Sequence, residues 1–457
     1  MSTKETLSVI ILAAGKGTRM HSAIPKVLHK LAGKPLLKHV IDTAKKLSPK
    51  RICVVYGHGG ESVPQAFRDQ DLAFVKQEPQ HGTGHAVQSA LPYIDEQGKT
   101  LVLYGDVPLI ALTTLEKLTN GKGELHLLTM LLNEPHGYGR IVRNDSGTIQ
   151  KIVEEKDASP AERRIEEVNT GILIAENAKL KRWVGQLKNE NAQGEYYLTD
   201  IIALAAQDGG KIDSDAPAEK WEVMGINDQS QLADLERIFQ LEQARKLLTQ
   251  GIAIADPARF DVRGNLVCGR DVYIDVNCIF EGEVKIGSNV RIGANSLIKD
   301  AQIADGADIA PFSHIEGANI GKGSRVGPFA RLRPGTVLKN DVHIGNFVEI
   351  KNSEIEDKSK ANHLSYIGDA TVGKNVNIGA GTITCNYDGA NKHRTNIEDD
   401  AFIGSDTQLI APVTVAKGAT IGAGSTIARN APEGGLTLSR SKQVHISHWK
   451  RPAKKKE

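Results

Sequence analysis

Two fold classes share this chain: an α/β domain with a mostly parallel sheet, and a parallel β-helix of hexapeptide repeats, joined by a long helix. Three observations predict them. Residues 1–229 carry short apolar runs bounded by turn formers. Residues 230–250 repeat apolar side chains at helical spacing. From about residue 252 an aliphatic residue recurs about every six positions.

The runs of the first region are SVIILAAG, ICVVYGH, TLVLYGD, LHLLTMLL and TGILIAEN. Strands apolar along their whole length are buried on both faces. With helical patterns between them they form a mostly parallel sheet. Ligands of such sheets sit beyond the carboxyl ends of the strands, where two runs end in AAGKG and YGD. In the helix, Leu232, Leu235, Ile238, Leu241 and Leu247 recur on one side, and Gly251 follows as a C-cap.

The hexads run through Ile286, Ile292, Ile298, Ile303, Ile309, Ile315, Ile320, Val326, Leu332, Leu338, Ile344, Ile350 and Ile355. They resume at Ile367, Val372 and Ile378, and again from Ile397 through Ile403, Leu409, Val415, Ile421 and Ile427. One inward aliphatic per strand, three short strands per coil and small residues at the corners describe a prism. Between Thr384 and Asn396 the rhythm stops for a polar loop containing Cys385 and Tyr387. A loop inserted at a corner is tolerated because closure entropy grows slowly with length.

At 457 residues the chain has room for two or three domains. A net charge of +2 gives no argument for nucleic acid or membrane surfaces. Aromatics at 5% and 45 glycines suit a narrow interior of small and branched side chains. Cys53, Cys268, Cys278 and Cys385 are scattered without a C-x-x-C pair, which argues against zinc. With no leader sequence, reduced thiols in the cytoplasm are expected. The tail KRPAKKKE reads as a solvated terminus.

The stretch LAAGKGTRM, followed by Pro25 and Lys26, is a Gly-rich turn after a strand. Its backbone N–H groups can hold phosphate oxygens, and Arg19 and Lys26 add positive charge. It is not a P-loop, and Met20 stands where a dinucleotide fingerprint needs its third glycine.

This stretch resembles the signature of sugar-1-phosphate nucleotidylyltransferases. QEPQHGTGHAV, LYGDVPLI and EVNTGILI strengthen the match. The whole chain resembles the bacterial bifunctional N-acetylglucosamine-1-phosphate uridylyltransferase / glucosamine-1-phosphate N-acetyltransferase family. That resemblance implies a Rossmann-like first domain and a left-handed β-helix. It divides the chain into a uridylyltransferase domain over 1–229, a linker helix over 230–250 and an N-acetyltransferase domain with its tail over 251–457.

For the first domain the resemblance implies that Leu12, Ala13, Ala14 and Gly15 cradle the nucleotide. Gln77, Gly82 and Thr83 would recognise uracil, and Tyr104 and Gly105 would close the strand before Asp106. Gly139, Glu154 and Asn169 would contact the N-acetylhexosamine. Asp106 and Asn227 would hold Mg²⁺, a credible oxygen pair because Mg²⁺ keeps several waters. N-acetylglucosamine-1-phosphate would attack the α-phosphorus of UTP and release pyrophosphate, with Mg²⁺, Arg19 and Lys26 neutralising charge.

For the second domain it implies acetyl transfer from acetyl-CoA to glucosamine-1-phosphate in clefts between the prisms of a homotrimer. His363, in an H-x-x-Y segment, would be the base, since a His titrating near neutral pH suits an amine proton. Glu349 would orient its imidazole. Arg333 and Lys351 would clamp the sugar phosphate, and Tyr366 and Asn377 would touch the sugar. Ala380, as an oxyanion donor, and Asn386, Tyr387, Lys392, Ser405, Ala423 and Arg440 would meet acetyl-CoA. The loop over 384–396 would reach a neighbouring prism, and the last tail residues would fold over the cofactor. Cys385 need not be catalytic. The product, UDP-N-acetylglucosamine, would feed bacterial envelope glycans. Two alternatives remain at this level: a single-function nucleotidylyltransferase whose β-helix only trimerises or regulates, and a trimeric platform that merely binds sugar phosphates.

Overall fold

A computed structural model describes residues 6–454. The chain forms two compact units that divide between Phe239 and Gln240.

The first unit is built on strands β1 (Leu7–Ala13), β2 (Arg51–Tyr56), β3 (Ala73–Lys76), β4 (Lys99–Tyr104), β5 (Leu125–Leu131), β6 (Arg140–Arg143), β7 (Ile149–Val153), β8 (Glu167–Glu176) and β9 (Ile212–Asp215). The central order is β9-β5-β8-β4-β1-β2-β3, with the β6–β7 hairpin attached to β8. β8 runs antiparallel to both its neighbours, while β1 pairs parallel with β2 and β4. The strand alternation divides the core. Val9 and Ile11 face Leu37, Val40 and Leu115 on one side, and Ile10 and Leu12 face Val87, Trp183 and Ile201 on the other. Two buried faces explain why these strands read as unbroken apolar runs.

The expected helix spans Gln229–Thr249. Leu235 packs with Met20, Leu36 and Ile226 in the first unit, and Ala244 and Leu247 belong to the core of the second. Gly251 adopts φ +88, and Ile252 N–H closes on Leu247 O at 3.0 Å, so glycine terminates the helix as expected.

The second unit is the left-handed parallel β-helix. One face is an eleven-stranded ladder, and the other two form a continuous seventeen-stranded sheet. Each inward aliphatic stacks on its equivalent one coil later: Ile292 on Ile309, then Val326 and Ile344. Two inward positions escaped the aliphatic count. Ala361 pairs with Ile344 and Ile378, and Thr384 pairs with Leu409. The buried Thr384 hydroxyl donates to Gly368 O at 3.0 Å, which satisfies a polar atom inside an apolar prism. The hexad therefore continues through both gaps. The insertion proper begins after Cys385, and the pattern re-enters at Thr395.

One prism corner carries an apolar column. Phe312, Phe329, Phe347 and Leu364 each adopt positive φ, between +48 and +60, and each is about half exposed or more. Phe312 stacks on Phe329 at 4.9 Å and Phe329 on Phe347 at 5.2 Å. Bulky residues are rare in the left-handed region, where a Cβ is crowded.

Candidate functional site

Two groupings of side chains stand out, one in each unit. In the first, a cavity of about 410 Å³ opens at the carboxyl ends of β1 and β4. Leu12 to Gly15, Lys26, Gln77, Gly82, Thr83, Tyr104 and Asp106 line it, along with Gln80 and Glu195. Gly105 N–H donates to Leu12 O at 2.9 Å, locking the two strand ends side by side.

The Lys26 ammonium contacts the Asp106 carboxylate and lies 3.2 Å from Asn227 Oδ1. Ile226 N–H donates to Asp106 O at 2.9 Å, which brings Asn227 to Asp106 from far along the chain. One carboxylate and one amide oxygen thus converge on a single cation, which is donor chemistry that Mg²⁺ accepts. Among the described residues no group of three or more His, Cys, Asp or Glu could hold a metal. Any ion here would draw its remaining ligands from water and phosphate.

Gln77 is nearly fully buried, and its amide nitrogen donates to Gly82 O at 2.9 Å. Gly82 adopts φ +99, and a Cβ there would lie 2.7 Å from Tyr196 O, so only glycine fits. Gln80, which the sequence reading passed over, donates to Ala14 O at 2.7 Å and ties this loop to the Gly-rich turn. Arg19 lies on the short turn Thr18–Met20, exposed and outside the cavity lining.

Beside Tyr104 the residues expected to contact the sugar assemble. Asn169 N–H donates to Gly139 O at 2.9 Å, and Asn169 Oδ1 accepts from Gly171 N–H at 3.0 Å. Glu154 Oε1 accepts from the Thr199 hydroxyl at 2.9 Å. Burial pushes the Glu154 carboxyl up from its ordinary value, with Thr199 pulling the other way. The Tyr104 phenol is pushed up by burial, with the charges of Glu154 and Asp106 adding to it. Thr199 gave no local signal in sequence. It enters because the segment 195–199 is stitched to the Gly82–Thr83 turn. Gly84 N–H donates to Tyr196 O at 2.7 Å, and Leu198 N–H to Thr83 Oγ1 at 3.0 Å.

In the prism, His363 is exposed, and its Nδ1 lies 2.7 Å from Asn346 Oδ1, one coil earlier. An amide oxygen only accepts, so Nδ1 donates to it and Nε2 is the ring nitrogen left for other partners. The expected partner Glu349 is engaged elsewhere: its carboxylate bonds Arg333 at 2.9 Å and Arg331 at 3.3 Å. Register is the reason, since Asn346 pairs with His363 whereas Glu349 pairs with Arg331 and Tyr366.

Lys351 and the loop residue Lys392 meet in the same chain. The Lys351 ammonium beside Lys392 holds that lysine below its ordinary value. Asp369 stands near both. Burial works to raise its carboxyl, but hydrogen bonds from Asn352 and Asn386 and the two lysine charges outweigh burial and lower it. The loop is therefore anchored to its own prism, through Asn386 to Asp369 and through Arg394 to Ala370 O at 3.0 Å. Lys392 thus stands with Lys351 and Asp369, where Asn386 is also held. Tyr387 is exposed at the loop tip, bonded to Gly389 O at 2.6 Å.

Ala380, Ser405 and Ala423 occupy one corner on successive coils. Asp406 N–H donates to Ala380 O at 2.7 Å and Gly424 N–H to Ser405 O at 2.8 Å. A Cβ on Gly422 would lie 3.5 Å from an Arg440 guanidinium nitrogen, so Arg440 crosses the top of the column. His363 and Leu364 sit at the same corner one coil below, where Gly381 N–H donates to Leu364 O at 3.1 Å. Asn377 lies on the strand entering that corner and Tyr366 on the strand leaving it. The expected cover by the tail concerns in part residues 455–457, which lie outside the described residues.

Residues 9–130 match the MobA-like NTP transferase domain family, residues 262–351 the GMPPB C-terminal domain, and residues 394–429 the bacterial transferase hexapeptide of six repeats. The chain is 62% identical over 452 residues to the bifunctional protein GlmU of Nitrosospira multiformis, covering 98% of both chains. It is 62% identical over 453 residues to that of Thiobacillus denitrificans, covering 99% of both. It is 59% identical to that of Janthinobacterium sp., covering 99% of this chain and 100% of the relative.

Proposed function

Because the chain belongs to the bifunctional GlmU family, we propose that the cavity of its α/β unit is the uridylyltransferase site and the His363 corner of its prism the acetyltransferase site. The enzyme makes UDP-N-acetylglucosamine. It first moves an acetyl group from acetyl-CoA to glucosamine-1-phosphate. It then joins N-acetylglucosamine-1-phosphate to UMP from UTP, with release of pyrophosphate.

In the prism, Lys351, Lys392 and Arg333 bind the phosphate of glucosamine-1-phosphate. Two adjacent ammonium groups repel each other, and a dianion between them relieves that repulsion. The amino sugar then presents its amine to His363 Nε2. As the nitrogen attacks the acetyl carbonyl, Nε2 takes its proton, and CoA leaves as the thiolate. Asn346 keeps Nδ1 protonated and the ring turned outward. The corner column Ala380–Ser405–Ala423, with Arg440 beside Gly422, lies along CoA. Backbone N–H groups at Ala380 stabilise the tetrahedral oxyanion.

In the α/β unit, the turn Leu12–Gly15 and Lys26 hold the triphosphate, and Gln77, Gly82 and Thr83 hold the uracil. Gly139, Glu154 and Asn169 hold the sugar so that its phosphate oxygen lies in line with the α-phosphorus. Asp106 and Asn227 would hold Mg²⁺, which would supply positive charge against the phosphates.

The enzyme works as a cytoplasmic homotrimer. The exposed Phe312–Phe329–Phe347–Leu364 column supports this, because it places an apolar surface in line with His363 where a second prism can pack. Among the described residues no helix is long and apolar enough to cross a membrane.

The carrying observation is the pair of separate groupings, Lys26–Asp106–Asn227 and Asn346–His363, each in its own unit. Thiol release and pyrophosphate release, assayed separately on purified protein, test the assignment. His363→Ala abolishes the first and spares the second, and Asp106→Ala does the reverse. Loss of both reactions in either folded variant overturns it.

A further inference from the structure

The oxygens assigned to the metal already hold a cation, the protein's own. Lys26 Nζ contacts Asp106 Oδ2 and lies 3.2 Å from Asn227 Oδ1, with the Lys26 and Asp106 side chains 12% and 17% exposed. We infer that Lys26 is a resident counter-cation for Asp106 and Asn227, which a divalent metal displaces efficiently only when nucleotide phosphates offer the lysine a second place to bind. This rests on the uridylyltransferase reading of the cavity.

Three features of the site carry the inference. First, Asp106 and Asn227 come from loops far apart in sequence, and the Lys26 ammonium bridges them. It keeps two metal-ligating oxygens converged and prevents an unpaired carboxylate at a mostly buried position. Second, the lysine holds Asp106 Oδ2 and Asn227 Oδ1 together, so a divalent ion drawing on those two oxygens meets the ammonium charge at contact distance. Entry of one therefore works against the other. Third, the lysine has somewhere to go. A Cβ on Gly17 would lie 2.7 Å from Lys26 Cβ, so the Lys26 stem runs directly beneath the Gly-rich turn. Gly15 and Lys16 of that turn line the same cavity as Asp106. A rotation of the flexible lysine stem takes Nζ from the carboxylate to the place where that turn would hold phosphate oxygens.

The consequence is an order of loading. Without nucleotide, the metal competes with a tethered cation and binds weakly. With a triphosphate present, the lysine gains anionic oxygens, and the carboxylate is released to the metal that arrives with them. Charge at Asp106 is balanced in both states.

Mn²⁺ binding to the full-length protein without nucleotide, followed by electron paramagnetic resonance, tests this. Lys26→Met should bind Mn²⁺ at least ~10-fold more tightly than wild type, and adding Asp106→Asn should remove the gain. Equal affinities within about twofold for wild type and variant overturn the inference, as does a gain that survives Asp106→Asn. Lys26→Gln, closer in polarity, gives the same comparison if the Met variant does not fold. Uridylyl transfer by wild-type enzyme with Mg²⁺ is measured alongside. If it proceeds normally while the affinities are equal, the lysine inference fails and the site assignment stands. If transfer is absent, the site assignment itself fails.

Discussion

His363 Nδ1 lies 2.7 Å from Asn346 Oδ1, and the two residues face each other because their strands are parallel neighbours on successive coils. The pair fixes which imidazole nitrogen is free to take a proton, as a metal-bound histidine is fixed by its outer partner. Asn346→Ala should lower the turnover of acetyl transfer by about 10–100-fold and leave pyrophosphate release unchanged. Asn346→Asp should move the acidic limb of the acetyl-transfer pH profile upward, because a carboxylate stabilises the imidazolium. A profile identical to wild type in both variants would contradict the role given to Asn346.

Lys392 and Lys351 stand together within one chain, and the charge of Lys351 holds Lys392 below its ordinary value. A phosphate dianion relieves that strain. Replacing either lysine by Met should raise KM for glucosamine-1-phosphate by about 10–100-fold, the size of one or two charge-assisted hydrogen bonds. KM for acetyl-CoA should change far less. The kinetic split between the two substrates is the measurement.

Glu154 is held above the ordinary carboxylate value of 4.5, mainly by burial, with smaller contributions from the charges of Asp200 and Asp157. The folded state therefore binds this proton more readily than the unfolded chain does. Stability from the group is present at low pH and is lost as pH rises through the raised value. Glu154→Gln should melt progressively higher relative to wild type as pH goes from 4.5 toward 8, with a difference of ~2–4 °C at the upper end. The same variant should lose affinity for N-acetylglucosamine-1-phosphate. Thr199→Val should raise that KM as well, and Thr199→Ser should restore it.

Phe329 and Phe347 stack in the exposed corner column. Phe329→Asp or Phe347→Asp should lower the solution mass, read by light scattering, and reduce acetyl transfer by at least ~10-fold. Pyrophosphate release should stay within about twofold of wild type. A folded, monomeric variant that acetylates at full rate would remove the need for a shared seam.

The hexads from Ile286 to Ile355 read clearly because each inward position is a branched aliphatic. Ala361 and Thr384 hid two beats. One is too small to register as an aliphatic, and the other satisfies its hydroxyl on Gly368. The motif residues around Asp106 and Gly82 were likewise visible, because a strand end and a glycine-only turn leave local marks. Gln80 sat in plain view within QEPQHGTG, but nothing local separated it from Gln77.

Sequence by itself determined the two fold classes and the helix joining them and marked out the motif residues, since periodicity and turn chemistry are properties of neighbours along the chain. Only the tertiary structure decided the partners: Asn346 for His363 in place of Glu349, Lys392 for Lys351, Thr199 for Glu154, and Lys26 for both Asp106 and Asn227. Those pairings depend on coil register and on loops that return from far along the chain. A hydrogen bond is decided by a few tenths of an ångström in space, which spacing in sequence does not encode.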